Sequence, residues 1–158
     1  MNRQSLTRFE DIVRRSSHYH ADESVISLHP FELRDIDQSL PVEVKLLFDN
    51  GHYAQATFEA YKFLDNKVKD ISGIDKTGKA LMMEAFKEVS PAITLGDLGK
   101  ESGRNEQEGF KFLFAGSMIG IRNPRGHEYS IKDDQNTCLD HLSLVSLLIR
   151  RLKVAGYL

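Results

Sequence analysis

Along most of the chain, apolar residues recur at the three- and four-residue spacing of a helix facing a core, not at the two-residue spacing of a strand. From His52 to Ile71, the residues Ala54, Phe58, Tyr61, Leu64, Val68 and Ile71 trace one face, and Tyr53, Ala56, Ala60 and Phe63 widen it. Glu59 falls on the polar side of that helix with Gln55, Lys62 and Asn66. A shorter stripe of Leu81, Met82, Ala85, Phe86 and Val89 predicts a second helix over Gly78–Val89, between the candidate cap Thr77 and Ser90-Pro91. Over Asn105–Ile121 the residues Phe110, Phe112, Leu113, Phe114, Met118, Ile119 and Ile121 leave almost no polar face, so a buried helix is expected. Asn105 and Glu108 stand at capping-box spacing at its start. A last helix is read over Asp134–Leu152 from Leu139, Leu142, Val145, Ile149 and Leu152, with Asp133 and Asp134 at its positive end. Leu144, Leu147 and Leu148 broaden that stripe enough for burial against two neighbours, with another subunit among the candidates.

The remaining segments are shorter. Leu6, Phe9, Ile12 and Val13 predict a basic amphipathic helix over about Gln4–Arg15, followed by an aperiodic connector from Ser16 to Ser24. That connector carries His18-Tyr19-His20, but a transition-metal site needs three or four converging ligands and the sequence offers no partner cluster. Val25–Leu33 is left open between extended chain and loop. Ser39-Leu40-Pro41 reads as a helix start and Asn50-Gly51 as its stop, with Val44, Leu47 and Phe48 as the stripe between. Ala92–Gly103 reads as a connector, with a brief strand-like or turn segment at Ile93, Leu95 and Leu98. Gly116 and Gly120, one turn apart, would let a neighbouring helix approach closely. The fold expected is all-α: a bundle of four to five helices in residues 37–158, with an additional N-terminal helix and connector in residues 1–36.

Composition narrows the function. At 158 residues the chain suits one domain, and its net charge of −2 excludes a protein that coats nucleic acid through a broad basic surface. Any RNA contact has to be local. The single cysteine, Cys138, permits no internal disulfide and is expected in the core. The polar, charged start and the lack of a long apolar run lead to the expectation of a cytoplasmic protein without a membrane anchor.

The densest polar chemistry follows the most apolar segment, in Ile121-Arg122-Asn123-Pro124-Arg125-Gly126-His127-Glu128. Pro124 is expected to push Asn123 out of helical dihedrals and to end or kink the helix near Arg122. On an unbroken helix, residues five apart point roughly 140° from each other. A break would therefore let Arg122 and His127 address one group. A guanidinium holds phosphate through a planar fork of donors, an imidazole exchanges protons near neutrality, and Asn123 adds a neutral donor and acceptor. The plainer reading is a turn with surface arginines and an exposed histidine.

Arg122-Asn123-Pro124-Arg125-Gly126-His127 resembles the Arg-(four to six residues)-His motif of the HEPN superfamily, with the Asn after the Arg that its ribonuclease members favour. Gly51-His52-Tyr53-Ala54-Gln55-Ala56 to Lys62, Glu101-Ser102-Gly103-Arg104 through Glu108-Gly109-Phe110, and Leu113-Phe114-Ala115-Gly116 are similar to its bacterial Ymh-like branch. The likeness spans roughly Leu40 to Leu152. It implies a HEPN-like bundle and a metal-independent endoribonuclease without cofactor, in toxin or anti-phage defence. Arg122, Asn123 and His127 would be catalytic, with Arg125 and Glu59 contacting the RNA substrate. It also implies a homodimer with the motif at the two-fold axis, and a possible antitoxin or defence-system partner. The rival expectation is a catalytically silent HEPN-like domain that binds a partner or a nucleotide.

Overall fold

The computed structural model describes residues 28–128 and 130–158, and among them the chain is all-α, with no strand. The helices are α1 (Pro30–Leu33), α2 (Val42–Asp49), α3 (Tyr53–Ser72), α4 (Gly78–Ala85), α5 (Glu101–Ser117), α6 (Asn123–His127) and α7 (Gln135–Val154), with a π-helical turn (Met118–Arg122) joining α5 to α6. The N-terminal helix expected before Ser16 and the His18-Tyr19-His20 segment lie outside the described residues.

The bundle is assembled on α3, which packs against α2, α4, α7, the π turn and α6. Much of the stripe read from spacing is the face it buries: Tyr61, Leu64 and Val68, with Ala56 and Ala60 beside them, are fully enclosed, whereas Ala54, Phe58 and Ile71 are half-buried at its edge. Two polar residues share that face and each has a partner. Asp65 accepts the Gly78 amide hydrogen at 2.7 Å and so caps α4, and the Thr57 hydroxyl lies 3.5 Å from the Cys138 sulfur. Burial pushes the Cys138 thiol up to about 11, which keeps it protonated and makes it a core residue, not a nucleophile. Gly73, in the left-handed region at φ 67°, ends α3.

Helix α4 stops at Ala85, one turn short of the expected Val89, which is exposed. The reason is a buried glutamine that spacing does not reveal. Fully enclosed Gln107 donates to the carbonyls of Phe86 at 3.2 Å and Ile93 at 2.9 Å, and accepts from the Leu95 amide at 2.8 Å. These bonds hold the connector as irregular chain with Ile93 and Leu95 in the core, and no strand forms there. Helix α5 correspondingly begins at Glu101, so Asn105 lies inside it and does not cap it. Its first turn is pressed against the connector at Gly103, where any Cβ would run into the Asp97 backbone.

The expectation of an all-round buried helix from Asn105 to Ile121 is corrected on one side. Phe114, Ala115 and Met118 face the core, with Phe114 stacked on Phe86 at 4.3 Å, but Phe112, Leu113 and Ile119 are about half exposed. Gly116 and Gly120 share that outer side, and no atom lies within 4 Å of where their Cβ would be, so no described helix approaches them. On α7 the stripe of Leu139, Leu142, Val145, Ile149 and Leu152 is buried as read, and of the residues expected to broaden it Leu148 is enclosed but Leu147 is exposed; Asp134 caps the helix by accepting from the Asn136 and Thr137 amides. The basic residues at its end do more than complement the helix dipole. Arg150 and Lys153 pair with Asp35 and Asp37, tying the end of α7 to the loop after α1, and Arg151 pairs with Glu106 on α5. No helix among the described residues is long and apolar enough to cross a membrane.

Candidate functional site

The polar cluster sits where regular α-helix gives way to a wider turn. The Asn123 amide donates to the Met118 carbonyl five residues back, which marks the π turn. Pro124 therefore does not break the chain as expected, and Asn123 keeps helical dihedrals at φ −62° and ψ −45°. Proline lacks an amide hydrogen and its ring crowds the carbonyl four residues earlier. Widening the preceding turn relieves that crowding and lets Pro124 enter as a first-turn residue of α6, where its missing hydrogen is no loss.

Arg122 closes the π turn. Its guanidinium lies over the Phe58 ring, 5.5 Å from the centroid, and Nη1 donates to Asn123 Oδ1 at 3.2 Å. Arg122 Nε is buried with no hydrogen-bond partner. Phe58 also faces the far side of the motif: a Cβ on Gly126 would stand 2.8 Å from Phe58 Cε2, so a larger residue there has to displace the ring. One α3 side chain thus fixes both the Arg and the turn that carries the His. His127 is the last residue of α6 and is exposed.

Arg125 is engaged differently. Nε and Nη2 grip the two Asp133 oxygens, each at 2.6 Å, and Nη1 donates to the Ile121 carbonyl at 2.7 Å. Both side chains of this pair are almost entirely buried, at 8% and 5% exposure. Most of Arg125's donors thus serve as a brace across the motif. Glu59 stands on α3 in an i,i+3 pair with Lys62 at 3.1 Å. Arg122 and Asn123 are therefore in direct contact, His127 stands five residues on at the far end of α6 without the intervening break expected to turn it toward Arg122, and Arg125 and Glu59 stand on the walls of an adjoining cleft.

That cleft, of about 720 Å³, opens between the start of α3 and the motif. His52, Tyr53, Gln55, Phe58 and Glu59 form one wall, and Arg125, Gly126, Glu128, Lys132 and Asp133 form the other. Among the described residues, no group of three His, Cys, Asp or Glu is placed to hold a metal ion.

Three residues of the site escaped the sequence reading. Phe58 has the spacing of a core residue, and nothing local reveals that it lies beneath Arg122. Asp133 was read as an aid to the α7 dipole, whereas it neutralises Arg125 eight residues away, too far for any helical pairing rule. His141 stands behind that pair, its Nδ1 3.9 Å from Asp133 Oδ2 and without a hydrogen-bond partner.

Burial, and then the charge of Arg125, hold the His141 pKa below the ordinary histidine value, although Asp133 and Asp140 pull the other way. The unfolded chain then binds this proton more readily than the folded one, so stability falls as pH drops through the ordinary histidine range near about 6.5. A His141→Gln variant is expected to lose less melting temperature between pH 7.5 and pH 5.5 than the parent. Equal losses would place His141 outside the acid response.

Over residues 34–152 the chain matches the family described as "Protein of unknown function (Hypoth_ymh)", and it belongs to that family. Comparison with curated proteins and with solved structures finds no match.

Proposed function

For this member of the Hypoth_ymh family we propose a metal-independent endoribonuclease of the HEPN type, acting in the cytoplasm in toxin or anti-phage defence. The observation that carries this reading is the Arg122 guanidinium, held over Phe58 and bonded to Asn123, one short helix away from an exposed His127. The 2′-hydroxyl of the RNA attacks the adjacent phosphorus, and the P–O5′ bond breaks. His127 moves a proton in this step, and Arg122 stabilises charge on the phosphoryl oxygens. The products are a 2′,3′-cyclic phosphate and a 5′-hydroxyl end. Asn123 orients the Arg.

One Arg and one His make a sparse site, and a symmetric dimer would double both around a single phosphate. The exposed apolar side of α5, with Phe112, Leu113 and Ile119 beside Gly116 and Gly120, leads directly into the motif and supports a second copy of the chain as the partner.

The experiment is an RNA oligonucleotide with a single 2′-deoxy sugar at the mapped cleavage position, incubated beside its all-ribose parent. The parent is expected to be cut with chelator present and the 2′-deoxy strand to remain whole. Cleavage of the 2′-deoxy strand would remove the 2′-hydroxyl from the mechanism. An uncut parent would favour the silent interaction domain.

A further inference from the structure

We propose that the cleft beside the motif is a recognition pocket for one guanine base, read by the carboxylate of Glu59 with Gln55 beside it. The proposal deepens the ribonuclease reading and rests on it for the identity of the strand that carries the base.

Position comes first. Arg125 and Gly126 line this cleft and belong to α6, the same helix that carries Asn123 and His127. A strand with its phosphate at the motif therefore has a neighbouring nucleotide at the cleft mouth. The volume, about 720 Å³, falls within the usual range of small-ligand sites.

Charge then decides which part of a nucleotide enters. Glu59, Glu128 and Asp133 line the walls against Arg125 and Lys132, and Arg125 is already neutralised by both oxygens of Asp133. A phosphate would meet three carboxylates against two cations, one of them already neutralised, whereas a neutral base presenting N–H donors meets acceptors. Single-stranded RNA is commonly read in this way, with a splayed base against an aromatic wall and its Watson–Crick edge on polar side chains. Tyr53 supplies such a wall, its ring fixed edge-on by Phe48 at 5.3 Å.

The acceptor geometry selects the base. An ionised carboxylate only accepts, through two oxygens side by side. Guanine alone among the four bases offers two adjacent donors, N1–H and the 2-amino group, that meet both oxygens together. Adenine and cytosine offer one amino group beside a ring acceptor, and uracil sets a carbonyl on each side of its single N–H. Glu59's present partner is Lys62, an exposed pair of the kind worth little in water, so its oxygens can be taken over by a ligand. Gln55, one helical turn before Glu59 on the same wall, can reach the guanine carbonyl as a donor.

The test uses the full chain in two arms. In the first, guanosine, adenosine, cytidine, uridine and inosine are titrated separately and followed by two-dimensional NMR of backbone amides. Guanosine is expected to shift the amides of Gln55 to Glu59 and of Gly126 to Glu128, at least tenfold more tightly than uridine or inosine, which lacks the 2-amino group. Glu59→Gln should erase that preference while its melting temperature stays near the parent's. In the second arm, RNA oligonucleotides differing at one position beside the cut are compared, and guanine there should raise the cleavage rate at least tenfold in the parent only. Guanosine-selective shifts without RNA cleavage would uphold the pocket and sink the ribonuclease reading. Cleavage without base preference, with equal or absent shifts for all five nucleosides, would sink the pocket and leave the ribonuclease standing. An unchanged guanosine preference in Glu59→Gln would also overturn the proposal.

Discussion

Alanine at Arg122 or at His127 is expected to lower RNA cleavage by about 10²- to 10⁴-fold, while circular dichroism and melting stay near those of the parent. The reasoning starts from exposure. His127 is solvent-exposed at the end of α6, so its removal leaves no cavity. Arg122 is half-buried over Phe58, and its loss gives up the hydrogen bond to Asn123 and one cation–π contact, the latter on the order of 0.5–2 kcal/mol, small beside the stability of a domain. In the proposed mechanism, by contrast, cleavage depends on the proton moved by the imidazole and on the charge met by the guanidinium. Arg122→Lys should also fail largely, because an ammonium cannot reproduce the planar fork. If both alanine variants instead unfold, the motif is a structural clasp and the silent interaction domain becomes the better reading. Full activity in Arg122→Lys would take the guanidinium out of the mechanism.

Asp133→Ala should destabilise the fold by about 3–5 kcal/mol, read as a lower urea midpoint. The Arg125–Asp133 pair is almost wholly buried, and removing the carboxylate leaves a guanidinium enclosed without its counter-charge. Replacing both residues, Arg125→Leu with Asp133→Leu, should recover much of the loss, because apolar groups of similar size often match or exceed a buried ion pair. The double variant should nevertheless cleave RNA poorly, since Arg125 also braces the Ile121 carbonyl just before Arg122. A single variant that melts within about 1 kcal/mol of the parent would mean that water reaches the pair and relieves it.

The helices were legible because their period is written in residues that must be enclosed. The face of α3 from Ala56 to Val68 and that of α7 from Leu139 to Leu152 lie where spacing placed them. Boundaries were less legible where one side chain far along the chain decides them. Val89 has helical spacing, yet Gln107 captures the carbonyl of Phe86 and turns the connector inward. Hydrophobicity also could not tell burial from an apolar surface, so Phe112 and Phe114 read alike although only Phe114 is enclosed. At the site, the sequence displayed Arg122, Asn123 and His127 as a cluster. It could not display Phe58, Asp133 or His141, whose roles arise from contacts across helices. Proline chemistry marked the right place for an irregularity at Pro124 but named the wrong form, because a widened turn relieves the same clash without leaving helical dihedrals.

The wide turn from Met118 to Arg122 also governs how relatives should be aligned with this chain. A hydrogen-bonded ring closed over five residues holds one more than the α-helical ring on either side of it. A relative whose helix runs straight through this region would bring its arginine to the same place with one residue fewer after Ser117. Aligned without a gap, that arginine would fall in the column of Ile121, about 100° around the helix from where it belongs. Such a relative would seem to lack the motif while presenting the same guanidinium in space. Column counts across the family therefore need a single-residue gap allowed between Ser117 and Arg122 before any member is scored as having lost its arginine.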